Sequence, residues 1–215
     1  MTKKKAKEIV ALLEQLYPDA KAELDYRNAY ELLIAVILSA QCTDVRVNQV
    51  TRVLFEVAST PEKLASLDIE TIERIIKPCG LYKTKAKNIK ATASLIVKEH
   101  GGEVPSNHAV LMELPGVGRK TANVVVSNAF NTPAIAVDTH VFRVSNRIGL
   151  ANAKTVEETE LQLMKCIDKD QWTQAHHMII FHGRRVCKAR SPMCEICTIS
   201  PYCKYYKKHF KESTS

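Results

Sequence analysis

Four of the seven cysteines crowd into one short stretch, Cys187-x6-Cys194-x2-Cys197-x5-Cys203. Thiolates closing so short a loop bind tetrahedral zinc or an iron–sulfur cluster, and spacing alone leaves both open. Disulfides are the poorer reading. The total is odd, and Cys42, Cys79 and Cys166 are scattered singly through helical text, which suits reduced thiols in a reducing compartment. Arg184, Arg185, Lys188, Arg190, Lys204, Lys207 and Lys208 surround the loop. They suit contact with phosphate, although a solvated charged face explains them equally well.

A second constellation is Leu111-Met112-Glu113-Leu114-Pro115-Gly116-Val117-Gly118-Arg119-Lys120-Thr121-Ala122. Gly116 and Gly118 in a turn between two helical segments let backbone N–H groups come close to an anion at the positive end of the second helix. A nucleic-acid phosphate is the obvious anion. A bare Gly-x-Gly turn more often joins two helices without any ligand, but here Arg119 and Lys120 follow at once. Lys120 supplies an amine nucleophile. Further along, Asp138 stands in Ala136-Val137-Asp138-Thr139-His140-Val141, at an expected helix start where its ordinary job is capping. Folded back to face the amine across a cleft, it also serves to take a proton from Lys120 or to stabilise positive charge developing on a sugar.

The elements that must hold these groups read as helices nearly end to end. Ile9, Leu12, Leu13 and Leu16 mark one face of a first helix ending before Pro18. Tyr30–Leu38 is apolar almost all round, as a buried helix is, and Val45–Val57 follows behind an expected Asp44 cap. Thr60-Pro61-Glu62 and Asp68 start short helices. Lys83–His100 runs to the Gly101-Gly102 stop, Ser106 caps a short helix ended by Pro115-Gly116, and Gly118–Phe130, Asp138–Ile148 and Trp172–Val186 complete the set. Thr155 and Glu158 have capping-box spacing. The best strand candidate, Ala134-Ile135-Ala136-Val137, is short and isolated, so the fold class is all-α.

At 215 residues the chain suffices for one large domain or two small ones, and no Gly/Ser linker separates them. Lys plus Arg number 31 against 23 acids, a formal net charge of +8 that favours a polyanionic partner. The longest purely apolar run, Leu32–Leu38, is far short of the roughly 20 residues a membrane-crossing helix needs. The N-terminus lacks the apolar core of a signal peptide, so a cytoplasmic protein without membrane contact is expected.

The segments Leu38-Ser39-Ala40-Gln41-Cys42-Thr43-Asp44, Cys79-Gly80-Leu81-Tyr82, the Leu114–Ala122 hairpin, Val137-Asp138-Thr139-His140-Val141 and the four-cysteine loop, in that order, resemble the endonuclease III family of helix-hairpin-helix DNA glycosylases across almost the entire chain. The resemblance implies a two-lobed fold, with residues 22–132 carrying the hairpin and Lys120, and residues 1–21 plus 133–215 carrying Asp138 and the cysteine loop. It implies a [4Fe–4S] cluster on Cys187, Cys194, Cys197 and Cys203. It also implies base-excision repair of damaged double-stranded DNA. On that resemblance a monomer associated with the nucleoid would remove oxidised pyrimidines through a Schiff base on Lys120, assisted by Asp138, and β-elimination would then break the strand 3′ to the abasic site. Gln41 and Leu81 would fill or wedge the opened duplex, and Gly116, Gly118 and Arg184 join the DNA contacts. On the residues alone, Leu81 also reads as core and Gln41 as an ordinary loop residue. The competing functions are a monofunctional adenine glycosylase, which lacks a lysine at this position, a non-catalytic DNA-binding module and a cluster-bearing regulator.

Overall fold

The computed structural model describes residues 2–211, and no β-strand occurs among them. Eleven helices carry the fold: α1 (Lys3–Leu16), α2 (Ala29–Leu38), α3 (Asp44–Val57), α4 (Pro61–Ser66), α5 (Ile69–Ile76), α6 (Tyr82–His100), α7 (His108–Glu113), α8 (Arg119–Ala129), α9 (Thr139–Ile148), α10 (Val156–Cys166) and α11 (Trp172–Arg185). The chain divides into two compact units, Glu23–Thr132 and a second formed by the residues up to Ala22 with those from Pro133 onward. Among the described residues no helix is long and apolar enough to cross a membrane.

The Glu23–Thr132 unit is built on α2 and α6. α2 is buried along nearly its whole length, with Leu32, Leu33, Ile34 and Leu38 fully inaccessible. Such side chains contribute roughly 1.5–3 kcal/mol each. Burial all round takes Glu31 inside too, and a buried carboxylate must be paired. Arg27 meets it, donating from its backbone N–H to Oε2 at 2.8 Å and from Nε to Oε1 at 2.8 Å. α6 receives α4, α5 and α2, packing through Ala86, Ile89, Ala93 and Ile96, while α8 lies on α2.

Most helix starts obey capping chemistry, with two corrections. α3 is capped by Thr43, whose hydroxyl accepts from Arg46 N at 3.4 Å. Asp44 instead occupies the first turn, where its charge suits the positive helix end. α7 is capped by Asn107, not Ser106, because the Asn107 Oδ1 reaches both Ala109 N and Val110 N, at 2.8 and 3.2 Å.

In the other unit α1 packs on α11, and α11 on α9. Ile9, Leu13, Val141, Val144, Ile148, Leu163, Met178 and Ile179 form one core. Ala134–Val137 forms no strand, yet all four residues are buried, which explains its apolar text without a sheet. α10 opens as expected, with Thr155 Oγ1 accepting from Glu158 N at 3.1 Å. Glu158 reaches back to Lys154 N at 2.8 Å, one residue earlier than the capping-box partner.

Candidate functional site

Between α7 and α8 the chain turns through Leu114–Gly118, closed by Val117 N donating to Leu114 O at 3.1 Å. The two glycines do different work. Gly116 sits at φ +78, and a Cβ there would stand 2.9 Å from Asn88 Nδ2 and 3.1 Å from Asn88 Cβ. The protein itself requires that glycine. Gly118 is extended, at φ −94 and ψ 178, and a Cβ there would meet nothing within 4 Å. Any need for a bare backbone at Gly118 therefore comes from outside the chain.

α6 brackets this turn: Asn88 lies against Gly116, and Thr92 Oγ1 donates to Pro115 O at 2.8 Å. Sequence reasoning passed over both residues. Their available signal was four-residue spacing, two short polar side chains one turn apart on a helix.

Helices α1 to α5, α7, α9 and α10 each open on a capping side chain; α6, α8 and α11 do not, and of these α8 opens on a glycine, Gly118. A helix end with its first N–H groups uncapped and its dipole positive is suited to receive an anion. Lys120 is exposed in the first turn of α8, immediately beside that end.

Asp138, in the other unit, does cap α9: its Oδ1 accepts from Val141 N at 2.7 Å. The cap fixes the carboxylate by one oxygen. Ala134–Val137 anchors the approach to it, and the side chain is half-buried.

Gln41 and Leu81 share an unusual backbone. Both lie in the left-handed region, at φ 54 and φ 48, a conformation that disfavours side chains by roughly 1–2 kcal/mol. Both are exposed, and Leu81, at 61% exposure, is not a core residue. Strain at an exposed tip is a mark of functional segments. Behind them Lys85 is buried, and its Nζ donates to Leu38 O and to Cys79 O, each at 2.9 Å.

The four clustered cysteines all line one cavity, together with Arg147 and Ile148. None of the seven cysteines is in a disulfide. The loop is tied to α9 by two arginines that sequence reasoning did not single out. Arg143 donates from Nε to Cys187 O at 3.2 Å and from Nη2 to Gly183 O at 2.9 Å. Arg147 donates to Lys188 O at 2.6 Å and Ala189 O at 3.0 Å, and its guanidinium lies 4.8 Å from the Tyr205 ring centroid. Arg184 is exposed in the last turn of α11.

Burial pushes the thiols of Cys194, Cys197 and Cys203 above their ordinary range, so a bound cationic centre is what would hold them as thiolates. Among the described residues no three His, Cys, Asp or Glu side chains converge as ligands of one ion. Four cysteines around one shared cavity are the donor set that tetrahedral zinc or an iron–sulfur cluster takes.

Residues 34–169 match the model of the HhH-GPD superfamily base excision DNA repair protein. Endonuclease III of Rickettsia conorii is 51% identical over 189 residues, 88% of this chain and 90% of that protein. Endonuclease III of Escherichia coli is 47% identical over 208 residues, 97% of this chain and 99% of its own. The solved structure of a trapped endonuclease III–DNA covalent intermediate superposes with a TM-score of 0.92 at 49% identity, covering 97% of this chain and 98% of that one. The chain accordingly belongs to the endonuclease III family, within the HhH-GPD superfamily of base excision DNA repair proteins.

Proposed function

We propose that this protein is a bifunctional DNA glycosylase and abasic-site lyase that removes oxidised pyrimidines from duplex DNA, with Lys120 as its nucleophile. The observation that carries the reading is the opening of α8: a helix end at Gly118 without a side-chain cap, open to an approaching anion, with Lys120 exposed in the same first turn. Membership of the endonuclease III family supports it, as does the covalent DNA complex captured for a relative.

The chemistry runs as follows. Phosphates of the damaged strand settle against the hairpin backbone at Gly116 and Gly118, and the net charge of +8 favours the encounter. The damaged nucleotide leaves the stack, at a cost of a few kcal/mol that weak pairing lowers. Gln41 and Leu81 occupy the opened duplex in its place. The neutral Lys120 Nζ attacks C1′, the C1′–N bond breaks, and the base departs with that electron pair and a proton. Asp138 accepts the proton from the amine or balances positive charge on the sugar. Ring opening gives the C1′=Nζ iminium. Loss of a 2′ proton then expels the 3′ phosphate by β-elimination, and water releases Lys120.

Cys187, Cys194, Cys197 and Cys203 would hold a [4Fe–4S] cluster, which supplies four metal–sulfur bonds that brace the basic loop. Arg143 and Arg147 fasten that loop to α9, and Arg184 near its start contacts DNA in this reading.

A panel of duplexes, each carrying one oxidised pyrimidine, one 8-oxoguanine, one uracil or one abasic site, tests the assignment. Nicking without added alkali is expected at the oxidised pyrimidine and the abasic site only. Base release without nicking would make the enzyme monofunctional and contradict the lyase half.

A further inference from the structure

Lys85 has no part in the chemistry above, yet it is the most buried lysine position near the proposed DNA-facing tips, at 4% exposure. One amine donates to two carbonyls that belong to different loops. Leu38 O ends α2, three positions before Gln41, and Cys79 O ends the short turn two positions before Leu81. Each contact is 2.9 Å, so the two oxygens lie within twice that distance of one another. The backbone of the same residue adds a third tie, Lys85 N donating to Leu81 O at 3.0 Å. Leu38 O is among the last carbonyls of its helix, which lack an intrahelical donor.

Beside the amine, the Cys42 and Cys79 side chains adjoin each other. Burial, with the Cys42 thiol next to it, pushes the Cys79 thiol up to about 11, so that sulfur stays a neutral thiol. Burial likewise pushes the Lys85 amine below the ordinary lysine range. A buried amine is an expensive way to satisfy carbonyls that water or a hydroxyl would serve. Its distinctive property here is reach: it spans two loops with one atom.

We infer that Lys85 is a positioning residue for DNA opening, a strut that fastens the Gln41 loop to the Leu81 loop so that both side chains enter the duplex as one rigid unit. This inference rests on the proposed role of Gln41 and Leu81. The left-handed backbone at both tips stores strain that relaxes unless something behind the tips opposes it. Lys85 is tied to both segments from behind.

The test compares Lys85→Met, Lys85→Arg, Gln41→Ala, Leu81→Ala and Lys85→Met/Leu81→Ala on two substrates. One is an oxidised pyrimidine in duplex DNA. The other is an abasic site in a single-stranded oligonucleotide, which needs no opening. Lys85→Met is expected to lower the single-turnover excision rate on the duplex by about tenfold to a hundredfold, the scale of a small misplacement. Nicking of the single strand should change by less than about twofold, and Leu81→Ala should slow excision no further when Lys85→Met is added, because coupled residues are not additive. Lys85→Arg, which can still reach both carbonyls, should recover part of the rate. A 2-aminopurine opposite the lesion should brighten less with Lys85→Met than with wild type.

If Gln41→Ala and Leu81→Ala excise at full rate, the reading of those tips is wrong whatever Lys85 does. If they are slow while Lys85→Met is fast, or if Lys85→Met slows both substrates equally, the strut is overturned and the tips keep their role. Should Lys85→Met not fold, Lys85→Gln takes its place. Failure of both to fold would assign Lys85 to general stability and overturn the inference as well.

Discussion

Replacing Gly118 by alanine separates what the hairpin needs for itself from what it needs for a ligand. At φ −94 the new residue has ordinary backbone geometry, and its methyl meets no atom within 4 Å. Alanine is a poorer N-cap than glycine by a few tenths to about 1 kcal/mol, and reduced freedom of the unfolded chain returns about 0.4–1 kcal/mol. The two nearly cancel, so the melting temperature should move by no more than about 2 °C. If a DNA phosphate rests on the backbone at Gly118, the methyl displaces it and weakens at least one charge-assisted hydrogen bond worth about 1.5–3 kcal/mol. Affinity should then fall by about tenfold to a hundredfold. The loss should be equal for damaged and undamaged duplex, because the contact reads no base.

Gly116→Ala is the contrasting control. Its φ of +78 strains any alanine by roughly 1–2 kcal/mol, and the methyl also pushes on Asn88. It should lose about 2–8 °C of melting temperature before DNA is added. Fluorescence anisotropy on both duplexes across a salt series, beside thermal melts, reads both effects. Gly118→Ala binding at wild-type affinity would refute the backbone contact at that residue.

Two further predictions follow from the same geometry. Asp138→Asn keeps an oxygen for the Val141 N–H, so stability should hold within a few tenths of a kcal/mol, while base removal slows about 10²- to 10⁴-fold. Asp138→Ala should add a stability loss of about 0.5–2 kcal/mol, and a full-rate Asp138→Asn enzyme would leave the residue as a cap alone. The purified protein should be yellow-brown, with iron and acid-labile sulfide in equal amounts; one zinc per chain and no iron would contradict the cluster.

Local chemistry was readable in the sequence because it depends on near neighbours. Helix faces, the Asp138 cap and the Thr155–Glu158 start are set by residues three or four apart, and periodicity reports such spacing directly. The caps of α3 and α7 were assigned one residue off, since Thr43 and Asp44, or Ser106 and Asn107, differ only in which side chain reaches the N–H groups. Burial of Ala134–Val137 in a segment that forms no strand shows how an apolar run imitates one.

The missed residues act across long separations. Lys85 reaches Leu38, Arg147 reaches Lys188, and Asn88 and Thr92 brace a turn more than twenty positions away. No pattern along the chain encodes those meetings. The unequal standing of Gly116 and Gly118 was equally hidden, because it rests on one backbone angle and one neighbouring side chain.

The central claim is that the Lys120 amine bonds to the sugar, and borohydride trapping tests it most directly. Wild-type protein incubated with an abasic-site duplex and borohydride should give a one-to-one covalent adduct, and its modified peptide should map to Lys120. Lys120→Ala, with an exposed side chain removed and the fold untouched, should bind the duplex within about twofold of wild type and give no adduct. An undiminished adduct in that variant, or a wild-type adduct mapped to any other lysine, would contradict the account.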